Sequence, residues 1–125
     1  MDSLTQTLLG DLRSPELPTA LGAVADILDL VARYADEAAF APDQDEVAAL
    51  AVAQLCVQAR AALPLSPRPA GQRPGLTTAA GLPDLLDAAT ERLDALGGDV
   101  PPLRAPAEDA AKASRALRKI LNVEG

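Results

Sequence analysis

The chain has 125 residues, close to the commonest size of a single domain, and 49% of them are hydrophobic but only 2% aromatic. Because Leu, Val and Ala supply the apolar mass, and Ala and Leu have high helix propensity, the composition favours helices over strands. A formal net charge of −7 disfavours nucleic-acid binding through phosphate contacts, and the absence of histidine excludes Ser-His-Asp triads, Cys-His pairs and zinc sites that require imidazole.

The sequence also lacks the common motifs for cofactors and membranes. Neither GxxxxGK[ST] nor GxGxxG occurs, so we expect no phosphate-binding loop and no cofactor. The first residues carry no basic segment followed by a long apolar run, which is unlike a signal peptide. Charged or polar residues interrupt the apolar runs before they reach the ~20 residues of a membrane span. Together with a single cysteine, these features predict a cytoplasmic protein that does not bind membranes.

Two helices are predicted in the N-terminal part of the chain. The first covers about residues 3–12, where leucine recurs at every fourth position. Pro18 is tolerated in the first turn of a second helix over about 18–40. The apolar residues of this second helix alternate spacings of four and three, which is typical of a helix packed nearly parallel to a neighbour. They are Leu17, Leu21, Val24, Leu28, Val31, Ala35 and Ala38.

A third helix is predicted over about 43–63, and its apolar residues cover most of its circumference. Asp43 is its expected N-cap, followed by acidic residues that suit the positive end of the helix dipole. A helix that is apolar nearly all round is normally buried. In so short a chain, that burial requires either a central position or a second copy of the protein. We therefore predict a homo-oligomer or a complex with a protein partner, with an interface formed by Leu50, Ala53, Val57 and Ala61.

The C-terminal part is predicted to form a helical hairpin after a linker at 64–81 that holds four prolines and three glycines. A fourth helix over about 83–96 is expected to end at a left-handed glycine cap at 97–98. A fifth helix over about 106–122 should open with Pro106 in its first turn. The predicted fold is a single all-α domain, a four- or five-helix bundle with a proline-rich crossover loop, built from segments 1–63, 64–81 and 82–125.

Carboxylates at spacings of three and four residues indicate a candidate metal site. Hard cations such as Mg²⁺ and Mn²⁺ take oxygen ligands, and an i,i+3 pair places two carboxylates on one side of a helix. In all-α pyrophosphohydrolases such pairs converge from several helices. The other interpretation is a solvated surface, because these carboxylates lie on the opposite side of each helix from its leucine residues. The candidate ligands are Asp26 and Asp29 on the second helix and Asp84, Asp87, Glu91 and Asp94 on the fourth.

Two further features have both a functional and a structural interpretation. Lys112, Arg115 and Lys119 share one stripe of the fifth helix with Arg118 beside it. This stripe could bind an acidic partner, or it could pair with the acidic fourth helix of the same hairpin. Cys56 lies in the middle of the most apolar helix, where we expect a buried and unreactive thiol.

Three hypotheses about function follow from these patterns. The first is a non-enzymatic interaction or assembly module that self-associates through helix 43–63. The second is a Mg²⁺- or Mn²⁺-dependent nucleotide hydrolase, which requires the carboxylates of the second and fourth helices to converge. The third is an acidic protein that masks a basic partner, whose binding would be sensitive to salt.

Overall fold

A computed structural model describes residues 3–40, 46–63 and 81–120. Helices account for 89% of this part of the chain, and no strand occurs within it, so the predicted all-α fold is confirmed. The expected N-cap Asp43 and all of the predicted linker except Gly81 lie outside the described residues. The helices are α1 (Ser3–Leu12), α2 (Leu17–Ala39), α3 (Glu46–Ala61), α4 (Leu82–Gly97) and α5 (Arg104–Ile120).

Pro18 and Pro106 lie near the starts of α2 and α5, as predicted. Pro18 lies in the first turn of α2, where a missing backbone N–H costs nothing. A single turn of 3₁₀ helix, Pro101–Leu103, runs directly into α5. For this reason α5 begins at Arg104, two residues before the predicted start at Pro106.

The turn after α4 differs from the prediction. Gly98 has φ −64° and ψ −37°, which is right-handed backbone, so the predicted left-handed cap is wrong. The backbone N–H groups of Asp99 and Val100 instead both donate to the carbonyl oxygen of Leu96, at 3.0 and 2.8 Å. These bonds satisfy the end of the helix and turn the chain toward the 3₁₀ segment without a positive φ.

Four of the helices pack in a ring, in which α2 contacts α3, α3 contacts α5, α5 contacts α4 and α4 contacts α2. The fifth helix, α1, lies against α2 and α4. The core is aliphatic; the predicted apolar face of α2 points into it, and so do apolar side chains of α4 and α5. Its largest fully buried side chains are Leu8, Leu21, Ile27, Leu28, Leu85, Leu86, Leu93, Leu103, Leu117, Val24, Val31 and Val52.

Polar contacts join α4 to α5 at the edge of the core. Ser114, only 4% exposed, donates its hydroxyl hydrogen to the Asp87 carboxylate. Arg118 forms an ion pair with the same carboxylate, and its guanidinium lies 3.9 Å from Asp84. Arg118 therefore meets the acidic face of α4, as the structural interpretation of the basic stripe expects for this residue.

The candidate functional site, an exposed apolar strip on α3

Helix α3 buries one face and exposes the other. Its inner face consists of small and β-branched residues that contact α2 and α5. Its outer face carries large apolar side chains that stay in contact with solvent: Val47 is 78% exposed, Leu50 45% and Val57 58%. The inner residues are Ala49, Val52, Ala53, Cys56 and Ala59.

The exposed residues form a continuous line along the helix, which we call the outer strip. It runs through Val47, Leu50, Gln54, Val57 and Ala61, at spacings of three, four, three and four residues. All five side chains are exposed. This alternation is the seam of helices that pack side by side, in which every seam residue faces a partner helix. The outer strip therefore has the geometry of one half of a helix–helix interface.

Three of the four predicted interface residues belong to the outer strip, and the fourth does not. Leu50, Val57 and Ala61 are exposed, whereas Ala53 is only 6% exposed and belongs to the core. The placement of Ala53 on the outer face was therefore wrong. It lies two turns before Arg60, which pairs with Asp29 of α2 and stays 37% exposed, so Ala53 is on the side of α3 toward α2.

Phe40 is an exposed aromatic residue that the sequence-based interface did not include. It follows the last residue of α2, and 84% of its surface is accessible. Among the described residues, the large exposed apolar side chains are Phe40, Val47, Leu50 and Val57, so all of them belong to α3 or to the end of α2 that leads into it. Phe40 falls outside the four-and-three pattern of α2, which is the signal that could have identified it.

The charges of α3 balance each other. Its residues Glu46–Ala61 include one acid, Glu46, and one base, Arg60, whereas the whole chain carries −7. The Arg60 Nε atom lies 2.8 Å from a carboxylate oxygen of Asp29, and both side chains are a little over one-third exposed. A pair as exposed as this contributes less than about 1 kcal/mol to stability. Its main effect is to hold the Arg60 guanidinium at the edge of the strip.

Cys56 lies on the inner face of α3 and has no accessible surface. Burial, together with the nearby negative charge of Asp29, raises the pKa of the thiol from 9.0 to about 12. Because the thiolate is the reactive form, this thiol stays unreactive at neutral pH in the folded protein. The sequence prediction of a buried thiol is confirmed.

The carboxylates proposed as metal ligands point in different directions. Asp29 faces α3, where it pairs with Arg60, and Asp87 faces α5, where it contacts Ser114 and Arg118. Asp84, with an 88% exposed side chain, lies near Arg118, and Asp26 is partly buried. Glu91 and Asp94 are exposed on α4. Within residues 3–40, 46–63 and 81–120, no three potential ligands lie close enough together to hold a metal ion.

A cleft of about 390 Å³ lies between α1 and α4. Arg92, one of its lining residues, donates from a terminal guanidinium nitrogen to the carbonyl oxygen of Ser14 at 2.9 Å. This bond ties α4 to the turn between α1 and α2, which gives Arg92 a structural role. The other lining residues are Leu9, Leu12, Arg13, Ala88, Glu91 and Ala95.

Taken together, the fold and the site define an all-α bundle with an exposed apolar strip on one helix. In the part of the chain that the structure describes, no helix is both long enough and apolar enough to cross a lipid bilayer. The chain matches no protein-family model, and it has no significant match among curated proteins or solved structures.

Proposed function

We propose that this protein is a non-enzymatic assembly module whose copies associate through the outer strip of α3. The observation that supports this proposal is the exposure of Val47, Leu50 and Val57 at seam spacing on a helix whose opposite face is fully buried. Contiguous apolar surface of this kind marks interaction sites in soluble proteins, because leaving it in water is unfavourable.

A second copy of the chain is the occupant that fits the strip best. Repulsion between two chains of charge −7 opposes contact over most of their surfaces. Helix α3 has no net charge, so this repulsion is smallest where two copies meet along it. A seam at heptad spacing is also complementary to another seam of the same spacing, which an identical helix provides.

The size of the strip sets the expected affinity. A helix of 16 residues is about 24 Å long. Stable interfaces bury roughly 800 Å² on each partner, more than one face of a single helix supplies. We therefore expect a weak dissociation constant of about 100 μM rather than a nanomolar one.

Sedimentation equilibrium of the full chain tests this proposal. Over about 1 μM to about 1 mM protein, the mean molar mass should rise from 12.8 kDa toward twice that value. Because the contact is apolar, added salt should leave the affinity unchanged or strengthen it, since it screens the repulsion between the acidic chains. A mass that stays at 12.8 kDa up to about 1 mM would contradict the proposal.

The other two hypotheses have less support. A metal-dependent hydrolase requires the carboxylates of α2 and α4 to converge, whereas Asp29 and Asp87 each pair with an arginine on a different neighbouring helix. An acidic protein that masks a basic partner would bind through charge, and the outer strip is apolar along most of its length. Loss of binding in high salt would favour that third hypothesis.

A further inference from the structure

We propose that the two copies pair their α3 helices antiparallel, about a two-fold axis that crosses the helix at the level of Val52 and Ala53. This inference rests on the proposed self-association and specifies how the partner is oriented. Two independent features of α3 support it: the distribution of bulky side chains along the outer strip, and the positions of its two charges.

Bulky side chains are concentrated at the N-terminal end of the strip. Val47 and Leu50 lie there, and Phe40 precedes them at the end of α2. Beyond Val57 the strip ends at Ala61, whose side chain is a single methyl group. In an antiparallel pair about this axis, Val47 packs on the partner's Val57 and Leu50 packs on the partner's Gln54, so large side chains occur at every level of the contact. In a parallel pair each residue faces its own copy, so Gln54 meets Gln54 and Ala61 meets Ala61, and the large apolar contacts are less evenly spread.

The two charges of α3 lie on one edge of the strip, at opposite ends. Glu46 and Arg60 are 14 residues apart, which is four turns or about 21 Å. When two helices pack antiparallel, the same edges face each other, so Glu46 of one copy lies beside the partner's Arg60, and the pair occurs twice. In a parallel pair each edge faces the opposite edge, which carries the uncharged Ala51 and Gln58.

Arg60 can make this contact while it keeps its bond to Asp29. The bond to Asp29 uses Nε, which is one of five N–H donors on the guanidinium. The side chain remains 37% exposed, so part of the guanidinium is accessible to a second partner. The antiparallel arrangement also places opposite helix dipoles next to each other, which is more favourable than a parallel pair.

Disulfide trapping distinguishes the two orientations. A disulfide requires Cα atoms about 4.4–6.8 Å apart. In the antiparallel pair, Val47 faces the partner's Val57, while the two Val47 residues are ten positions or about 15 Å apart along the axis. In a parallel pair, each residue faces its own copy. The native Cys56 does not interfere because it is buried on the opposite face.

The experiment mixes the full chain carrying Val47→Cys with an isotope-labelled full chain carrying Val57→Cys, under mild oxidation. We expect mixed disulfides, detected by mass spectrometry, to exceed disulfides between identical chains by about tenfold. In the control, a chain carrying Thr7→Cys on α1 replaces the Val47→Cys chain in the same mixture. Thr7 is exposed but lies outside the strip, so this variant should not cross-link.

Each outcome of the trapping experiment has a distinct meaning. Disulfides between identical chains, with few mixed ones, would overturn the antiparallel orientation and leave self-association intact. Mixed products for Thr7→Cys at the same yield would show that collisions produce them, which also counts against the inference. Absence of cross-links together with a monomeric mass would contradict the proposed function itself, and the orientation with it.

Discussion

Replacing Leu50 and Val57 together by glutamate is expected to weaken self-association at least about a hundredfold while the chain stays folded. Full burial of a Leu or Val side chain contributes about 1.5–3 kcal/mol, and these two are about half exposed, so each has about 1 kcal/mol still to gain. A two-fold interface contains both residues twice, which gives about 4 kcal/mol in total. Four added carboxylates would also repel one another across the interface.

The measurement is the dissociation constant from sedimentation equilibrium, with helical circular dichroism as the test of folding. Gln6→Glu with Thr7→Glu is the matched control, because it adds the same charge to exposed positions of α1. A second variant, Leu50→Gln with Val57→Gln, removes apolar surface without adding charge and should also weaken association. If the glutamate variant stays folded and associates as tightly as the wild type, the outer strip is not the interface.

The stability of the fold should decrease in alkaline solution because of Cys56. The folded thiol keeps its proton up to a pKa of about 12, whereas the ordinary value, 9.0, applies in the unfolded chain. Above pH 9 the unfolded chain therefore binds fewer protons than the folded one, and raising the pH favours unfolding. Each pKa unit corresponds to about 1.4 kcal/mol, so at about pH 10.5 the expected loss from this group is about 2 kcal/mol.

Urea unfolding of the wild type and of Cys56→Ala, at about pH 8 and about pH 10.5, measures this loss. Other groups also titrate in this range, and the alanine variant keeps all of them. We expect the free energy of unfolding of the wild type to fall by about 2 kcal/mol more than that of Cys56→Ala between the two pH values. Equal losses in the two proteins would show that the thiol ionises as readily in the folded state as in the unfolded one.

The sequence predicts helices well where one face is apolar and the other charged. Helix α2 is the clearest case, since its predicted seam from Leu21 to Ala38 is buried throughout. In α5, Leu117 and Ile120 are buried, and Arg118 pairs with α4. In these helices the position of the charges decides which face contacts water.

For helix α3, the pattern of apolar and charged residues is not sufficient to predict the buried face. Its apolar residues surround the helix, so the pattern cannot decide which arc the neighbouring helices cover. The sequence therefore predicted excess apolar surface but placed Ala53 outside instead of inside. Spacing along one helix also cannot determine whether carboxylates on different helices meet. The orientation of α2 and α4 decides that, and Asp29 and Asp87 face different neighbours.

Two valines on α3 allow the most direct test that the outer strip is the surface covered by association. Val57 is 58% exposed, and Val52, five residues earlier, has no accessible surface. A soluble paramagnetic agent should relax the Val57 methyl groups much faster than those of Val52 at about 20 μM protein, where the chain is mainly monomeric. As the concentration rises to about 1 mM, the Val57 rate should fall toward the Val52 rate. A Val57 rate that stays constant while the molar mass doubles would contradict the account.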